Sequence, residues 1–346
     1  MATPNPDRIE NVAQLEDLLS QPTDAVIEMF RRLPGDIVIL GVAGKVGPSL
    51  ARMVKRASDA AGTKRRVIGV ARFSRADEAA KLQAHGIETI KCDLLDRAQL
   101  EQLPEAPNVV YMAGQKFGTT GNEPLTWAMN SFLPGLVCQR YRRSKIVAYS
   151  TGNVYKMKPV VAGGSREMDR PEPVGEYSMS CLGRERIIQY FSRAMQIPAA
   201  LIRLNYACEM RYGVLVDMAQ HVLAGEAVDV TMGCLALIWQ GDANVMTLLA
   251  FEHVASPPFV VNVVGPEILS VRELCEEFGR LLGKKPKIIG TEAPDAALAD
   301  GGLAHRLFGY PRVSAGQIVR WTADWVQRGG ETLGKPTHFE ARDGNY

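Results

Sequence analysis

An alternation that begins at Asp36 constrains this chain more than any other feature. Short apolar runs (DIVILG at 36–41, VIGVARF at 67–73, TIKCDL at 89–94, NVVYMAG at 108–114, KIVAYST at 145–151, AALIRLN at 199–205) take turns with helically spaced segments. Those segments lie at 46–60, 75–84, 97–102, 124–142 and 176–194. A strand that is apolar at consecutive positions is buried on both faces, and a helix between two such strands supplies the crossover that parallel pairing requires. The alternation predicts a doubly wound α/β fold on a parallel (Rossmann) sheet.

Beyond about 210 the rhythm loosens into short segments, ALIWQGD, FVVNVVG and PKIIGT, with helices at 270–283 and 314–328, and these form a smaller C-terminal α/β lobe. Before the first strand, Val12, Leu15, Leu18, Leu19, Val26 and Phe30 have helical spacing broken at Gln21-Pro22, which predicts two short helices packed on the body. The expected organisation is a helical arm over 1–34, a dinucleotide-binding domain over 35–205, a substrate lobe over 206–329 and a tail over 330–346. The tail is polar and aperiodic, and is either disordered or an arm laid on the surface.

Length and charge narrow the partners. With 346 residues and 46% hydrophobic content the chain can bury one large core and a smaller one. Its 40 Lys+Arg against 38 Asp+Glu leave a formal charge of +2, with no run of like charge longer than a few residues, so neither nucleic acid nor an acidic membrane is an expected partner. A small-molecule substrate is. Cys92, Cys138, Cys181, Cys208, Cys234 and Cys275 show no CxxC spacing, and the five histidines show no metal spacing. The cysteines read as free thiols in a reducing compartment, and no apolar stretch of about 18 residues occurs, so a cytoplasmic location is expected.

The chemistry starts at ILGVAGKVGPSLAR. Gly41, Gly44 and Gly47 follow the first strand and open a helix, where glycine permits a tight turn, close backbone approach to a pyrophosphate and close helix packing. The N–H groups of the loop, through Ala43, Lys45 and Val46, would then face the phosphates at a helix N-terminus. The end of the second strand, where an acid would bind ribose hydroxyls, reads Ala71-Arg72 instead. Arg72 can pair with a 2′-phosphate and no carboxylate repels it, so NADP is favoured over NAD.

Taken together, several motifs resemble the extended short-chain dehydrogenase/reductases, the NAD(P)-dependent epimerases and dehydratases of nucleotide sugars. They are the glycine loop, Asp93-Leu94, Ala113-Gly114, Asn130, STGNVY at 150–155, Tyr177, RLNY at 203–206, the strand and helix at 260–283, and FGYPRV at 308–313. The likeness covers about 36–328. It implies cofactor contacts from Asp93, Leu94, Ala113 and Gly114, a substrate-binding hydroxyl at Thr151, an acid/base at Tyr177 and a homodimer through the helices near 124–142 and 176–194. This chain departs from the family at Cys181, where members carry a lysine that holds the nicotinamide ribose and lowers the tyrosine pKa. Lys116, Lys156 and Lys158 follow strands on the ligand side and are candidate replacements; Arg184, a turn further along the helix, is expected at the surface or an interface. Two functions remain open: an enzyme that oxidises, reduces, epimerises or dehydrates a polyhydroxy compound, and a cofactor-binding sensor or scaffold with weakened catalysis.

Overall fold

Seven strands form one parallel sheet in the computed structural model, which describes residues 5–116, 118 and 121–344. In chain order they are β1 (Ile37–Leu40), β2 (Val67–Ala71), β3 (Glu88–Lys91), β4 (Asn108–Tyr111), β5 (Lys145–Thr151), β6 (Ala199–Leu204) and β7 (Phe259–Val263). Their order across the sheet is β7-β6-β5-β4-β1-β2-β3. β1, β2 and β4 are buried at every position, whereas the edge strand β3 has none fully buried, as expected when helices cover both faces but not the rim. The order reverses between β1 and β4, so the ligand crevice of such a sheet opens at their carboxyl ends.

β7 departs from expectation. FVVNVVG reads as part of the smaller lobe, yet Phe259–Val263 pairs in parallel with Ala200–Leu204 as the seventh strand. The lobe is therefore interrupted by a return to the sheet. Tyr206–Cys208 and Leu237–Trp239 pair separately in a two-stranded parallel ribbon near its core. The helix expected over 124–142 is also not uniform: Glu123–Trp127 and Leu133–Arg140 are joined by a π-turn at Ala128–Phe132.

The arm is two helices, Val12–Leu19 and Asp24–Arg32, capped by the Asn11 and Thr23 side chains. Leu15 and Leu19 enter the lobe's core, while Val26, Met29 and Phe30 enter the core on one face of the sheet. Arg52, buried on the helix after β1, donates to Glu16 and Asp17 at 2.8 Å each, and Arg211 of the lobe donates to Glu16 at 3.1 Å and to Glu209 at 3.0 Å. The arm thus joins both parts of the body. Of the two alternatives for the tail, its described residues form an ordered arm. Leu333 N donates to Arg211 O, Thr337 donates to Asp217 through N–H and hydroxyl, Arg342 pairs with Asp295, and Gly344 abuts Val174 and Gly175.

Candidate active site

The glycine loop sits where β1 meets the helix Gly47–Ala60. Gly41 has φ +88°, and a Cβ there would lie 2.6 Å from Ala113 N, so the turn passes too close to the end of β4 for any other residue. A Cβ on Gly47 would meet Val42 O at 2.0 Å, which fixes close helix packing. Gly44 differs: the nearest atom to its Cβ would be Gly41 O at 3.4 Å, leaving that face approachable. The following helix has Pro48 in its first turn and no side-chain cap, so its first N–H groups are not taken by a capping side chain. The cradle fits a pyrophosphate. Ala43 and Val46 pack on the sheet core, while Lys45 Nζ lies 3.3 Å from the centre of the Tyr212 ring. Burial, with Lys116 and Lys335 nearby, pushes the Lys45 ammonium down to about 7.

At the neighbouring strand ends Ala71 is buried and Arg72 exposed, with no carboxylate among residues 72–76. Cys92 N donates to Ala71 O, which brings the Asp93 segment alongside. Asp93 is exposed and its Oδ1 accepts from Leu95 N at 3.1 Å, while Leu94 is buried in the core of the opposite sheet face.

Thr151 is the last residue of β5, and Tyr177 and Cys181 stand one turn apart in the helix Gly175–Met195. The Tyr177 hydroxyl neighbours the Thr151 hydroxyl and the Cys181 thiol, so one end of this helix meets the end of β5 at the carboxyl end of the sheet. Burial pushes Tyr177 well above the ordinary phenol range and raises the Cys181 thiol as well. Tyr177 is held protonated, a donor. Lys116 Nζ is 6.0 Å from the Tyr177 ring centre, and burial lowers it to about 8. Lys156 and Lys158 are engaged elsewhere, with Glu172 and Asp169.

Arg184 is not at the surface. It is 6% exposed and donates to Tyr149 O at 2.8 Å and Asn130 Oδ1 at 2.6 Å; its Nη2 would lie 2.4 Å from a Cβ on Gly114. Asn130, in the π-turn, also accepts from Gln115 N and donates to Gln115 O and Ser180 Oγ, tying the segment after β4 to the Tyr177 helix. Beneath these, Glu185 and Arg203 form a two-bonded, fully buried ion pair that also receives Ser150 Oγ. Sequence reading overlooked this pair, although a glutamate in the helix and an arginine inside the apolar run AALIRLN were its visible signals. Among the described residues no cluster of three or more side chains suited to a metal occurs, and no helix is long and apolar enough to cross a membrane.

A glycine cradle at the switch point, with a tyrosine and a threonine at the end of β5, is the arrangement that comparison with known proteins can test. The model of the NAD dependent epimerase/dehydratase family matches residues 37–232. The chain belongs to this family. The match spans the glycine loop, Thr151 and Tyr177; the arm and everything after 232 lie outside it. No curated protein matches the sequence. Solved structures share the epimerase/dehydratase fold at low identity. The UDP-glucuronic acid 4-epimerase of Bacillus cereus, in complex with NAD, superposes with a TM-score of 0.70 at 19% identity, covering 85% of this chain and 99% of that one. A dTDP-glucose 4,6-dehydratase of Streptomyces venezuelae, with NAD bound, gives 0.72 at 18% identity, covering 85% and 97%. The UDP-glucose 4-epimerase of Thermotoga maritima gives 0.69 at 18%, covering 85% and 99%.

Proposed function

We propose that this family member is an NAD(P)-dependent epimerase, dehydratase or reductase of a nucleotide sugar or related polyhydroxy compound. The observation that carries the reading is the meeting of the Tyr177 and Thr151 hydroxyls at the end of β5, across the cleft from a loop whose Gly44 face is open. Gly41, Ala43, Gly44, Lys45, Val46 and Gly47 would hold the pyrophosphate, and Asp93 would face the adenosine, while Leu94, expected beside it, is a core residue. Ala113 and Gly114 would line the cleft floor. The bound nicotinamide would supply hydride exchange. Thr151 would hold the substrate oxygen while Tyr177, kept protonated by burial, donates to it, so the favoured direction is the one in which that oxygen gains a proton. Arg72, exposed where an acid would discriminate against a 2′-phosphate, supports NADP over NAD.

Cys181 supports a second reading, a cofactor-binding sensor or scaffold in which turnover is weak. The two are separated by incubating the purified protein with NAD or NADP and a panel of UDP- and dTDP-sugars, followed by mass spectrometry of the products. The enzyme reading expects conversion that Tyr177→Phe abolishes while coenzyme affinity stays nearly unchanged. Full activity in Tyr177→Phe would remove Tyr177 as the catalyst, and tight coenzyme binding without conversion would favour the sensor. Six unpaired thiols are in keeping with a reducing, cytoplasmic setting.

A further inference from the structure

The helix Gly175–Met195 carries Tyr177, Cys181 and Arg184 at i, i+4 and i+7, on one stripe. Helical side chains lean toward the N-terminus of their helix, so a long side chain one turn beyond Cys181 reaches back beneath it. The Arg184 guanidinium ends at the cleft floor, bonded to Tyr149 O, two residues before Thr151, and pressed against Gly114 after β4. Only a glycine at 114 leaves it that room. Its hydrogen bonds among the described residues go to Tyr149 O, Asn130 O and Asn130 Oδ1, all neutral oxygens, and Glu185, the carboxylate that acts on it, is not hydrogen-bonded to it. The adjacent Glu185 is tied to Arg203 instead.

We propose that Arg184 is the positioning residue that supplies positive charge to the Tyr177 hydroxyl, the task a lysine at position 181 performs in the proteins this chain resembles. The inference rests on reading Tyr177 as the acid/base. The groups facing the Tyr177–Cys181 pair are Arg184 and, opposing it more weakly, Glu185 from the same helix, Thr151 from β5 and Lys116 from the segment after β4, with Tyr111 of β4 5.9 Å from the guanidinium. Arg184 and Lys116 are the cations among them. Lys116 lies over the ring, and burial lowers its pKa to about 8, whereas a guanidinium stays charged throughout the working range. Cys181 then fills the lysine's place with a small apolar group, and charge returns from one turn further along.

The test needs neither substrate nor coenzyme. Tyr177 is replaced by a fluorinated tyrosine, whose more acidic phenol brings the titration into range, and its fluorine resonance is followed against pH. Arg184→Gln keeps hydrogen-bond donors without charge and should raise the midpoint by about one unit or more. Arg184→Lys should raise it less, and Cys181→Lys combined with Arg184→Gln should restore it, an outcome that a merely structural arginine would not produce. Should Arg184→Gln alone fail to fold, the Arg184→Lys and Cys181→Lys/Arg184→Gln midpoints decide. An unchanged midpoint in Arg184→Gln, a Cys181→Lys/Arg184→Gln midpoint that stays high, or a shift produced only by Lys116→Gln overturns the proposal. A chain that shows these shifts yet converts no sugar would retain the Arg184 assignment and lose the enzyme reading instead.

Discussion

Arg72 and Lys45 follow β2 and β1, beside the proposed coenzyme site, and each makes a measurable claim. Arg72 is exposed beyond β2, where the sequence carries no acid before Asp77. NADPH should therefore bind more tightly than NADH in fluorescence titrations, and Arg72→Glu should reverse the order; equal affinities in the parent chain would refute the preference. Lys45 has an ordinary lysine pKa of 10.5 when unfolded and about 7 when folded. Between these values the unfolded chain binds the extra proton, so the parent should gain stability as pH rises from about 7 toward 10.5, and carry the full penalty below 7. Lys45→Met removes that burden. Urea melts without coenzyme should show the variant ahead of the parent at pH 6, with the gap closing toward pH 10; a constant gap would mean that packing alone is responsible.

At the scale of elements, the arm is the part whose energetics are easiest to isolate. Glu16 accepts from Arg52 and Arg211, and the Arg52 side chain is only 9% exposed, so Glu16→Gln leaves buried donors poorly satisfied. A loss of about 1–3 kcal/mol is expected, read as a lower urea midpoint at unchanged slope. Five of the six strands of the apolar alternation were legible because parallel strands buried on both faces must be apolar throughout, whereas the exposed edge strand β3 followed only from the rhythm around it. β7 was equally apolar, but nothing local to 259–263 says that it pairs with β6 across the intervening lobe. The helices Val214–Ala224 and Gln240–Leu249 escaped notice for a related reason: the second is buried at every residue, so it has no polar face to mark a helical period. Within the site, Thr151, Tyr177 and Cys181 were readable from motif spacing. The depth of Arg184 was not, because it depends on the room left by Gly114 and on acceptors offered by Asn130 and Tyr149, three contacts from three separate elements.

For the whole molecule, the helices Glu123–Trp127 and Gly175–Met195 with the π-turn between their neighbours expose Leu125, Trp127, Phe132, Met179, Tyr190 and Met195. Phe132 is 60% and Tyr190 65% exposed, an apolar surface that a second copy of the chain would cover. Light scattering at micromolar concentration should report a dimer, and Phe132→Glu should shift it toward monomer; a monomeric parent would contradict the assembly. The arm has a different consequence, one for the folding reaction. Glu16 finds Arg52 36 residues away but Arg211 195 away, Trp321 donates to Pro6 O across 315 residues, and Arg328 to Ile9 O across 319. Contacts so distant along the chain are slow to form, because their loop entropy is lost before they return any energy. The arm is thus made early and fastened late, and during refolding its peptide bonds should stay open to protease until the slowest phase, well after the sheet has acquired its protection.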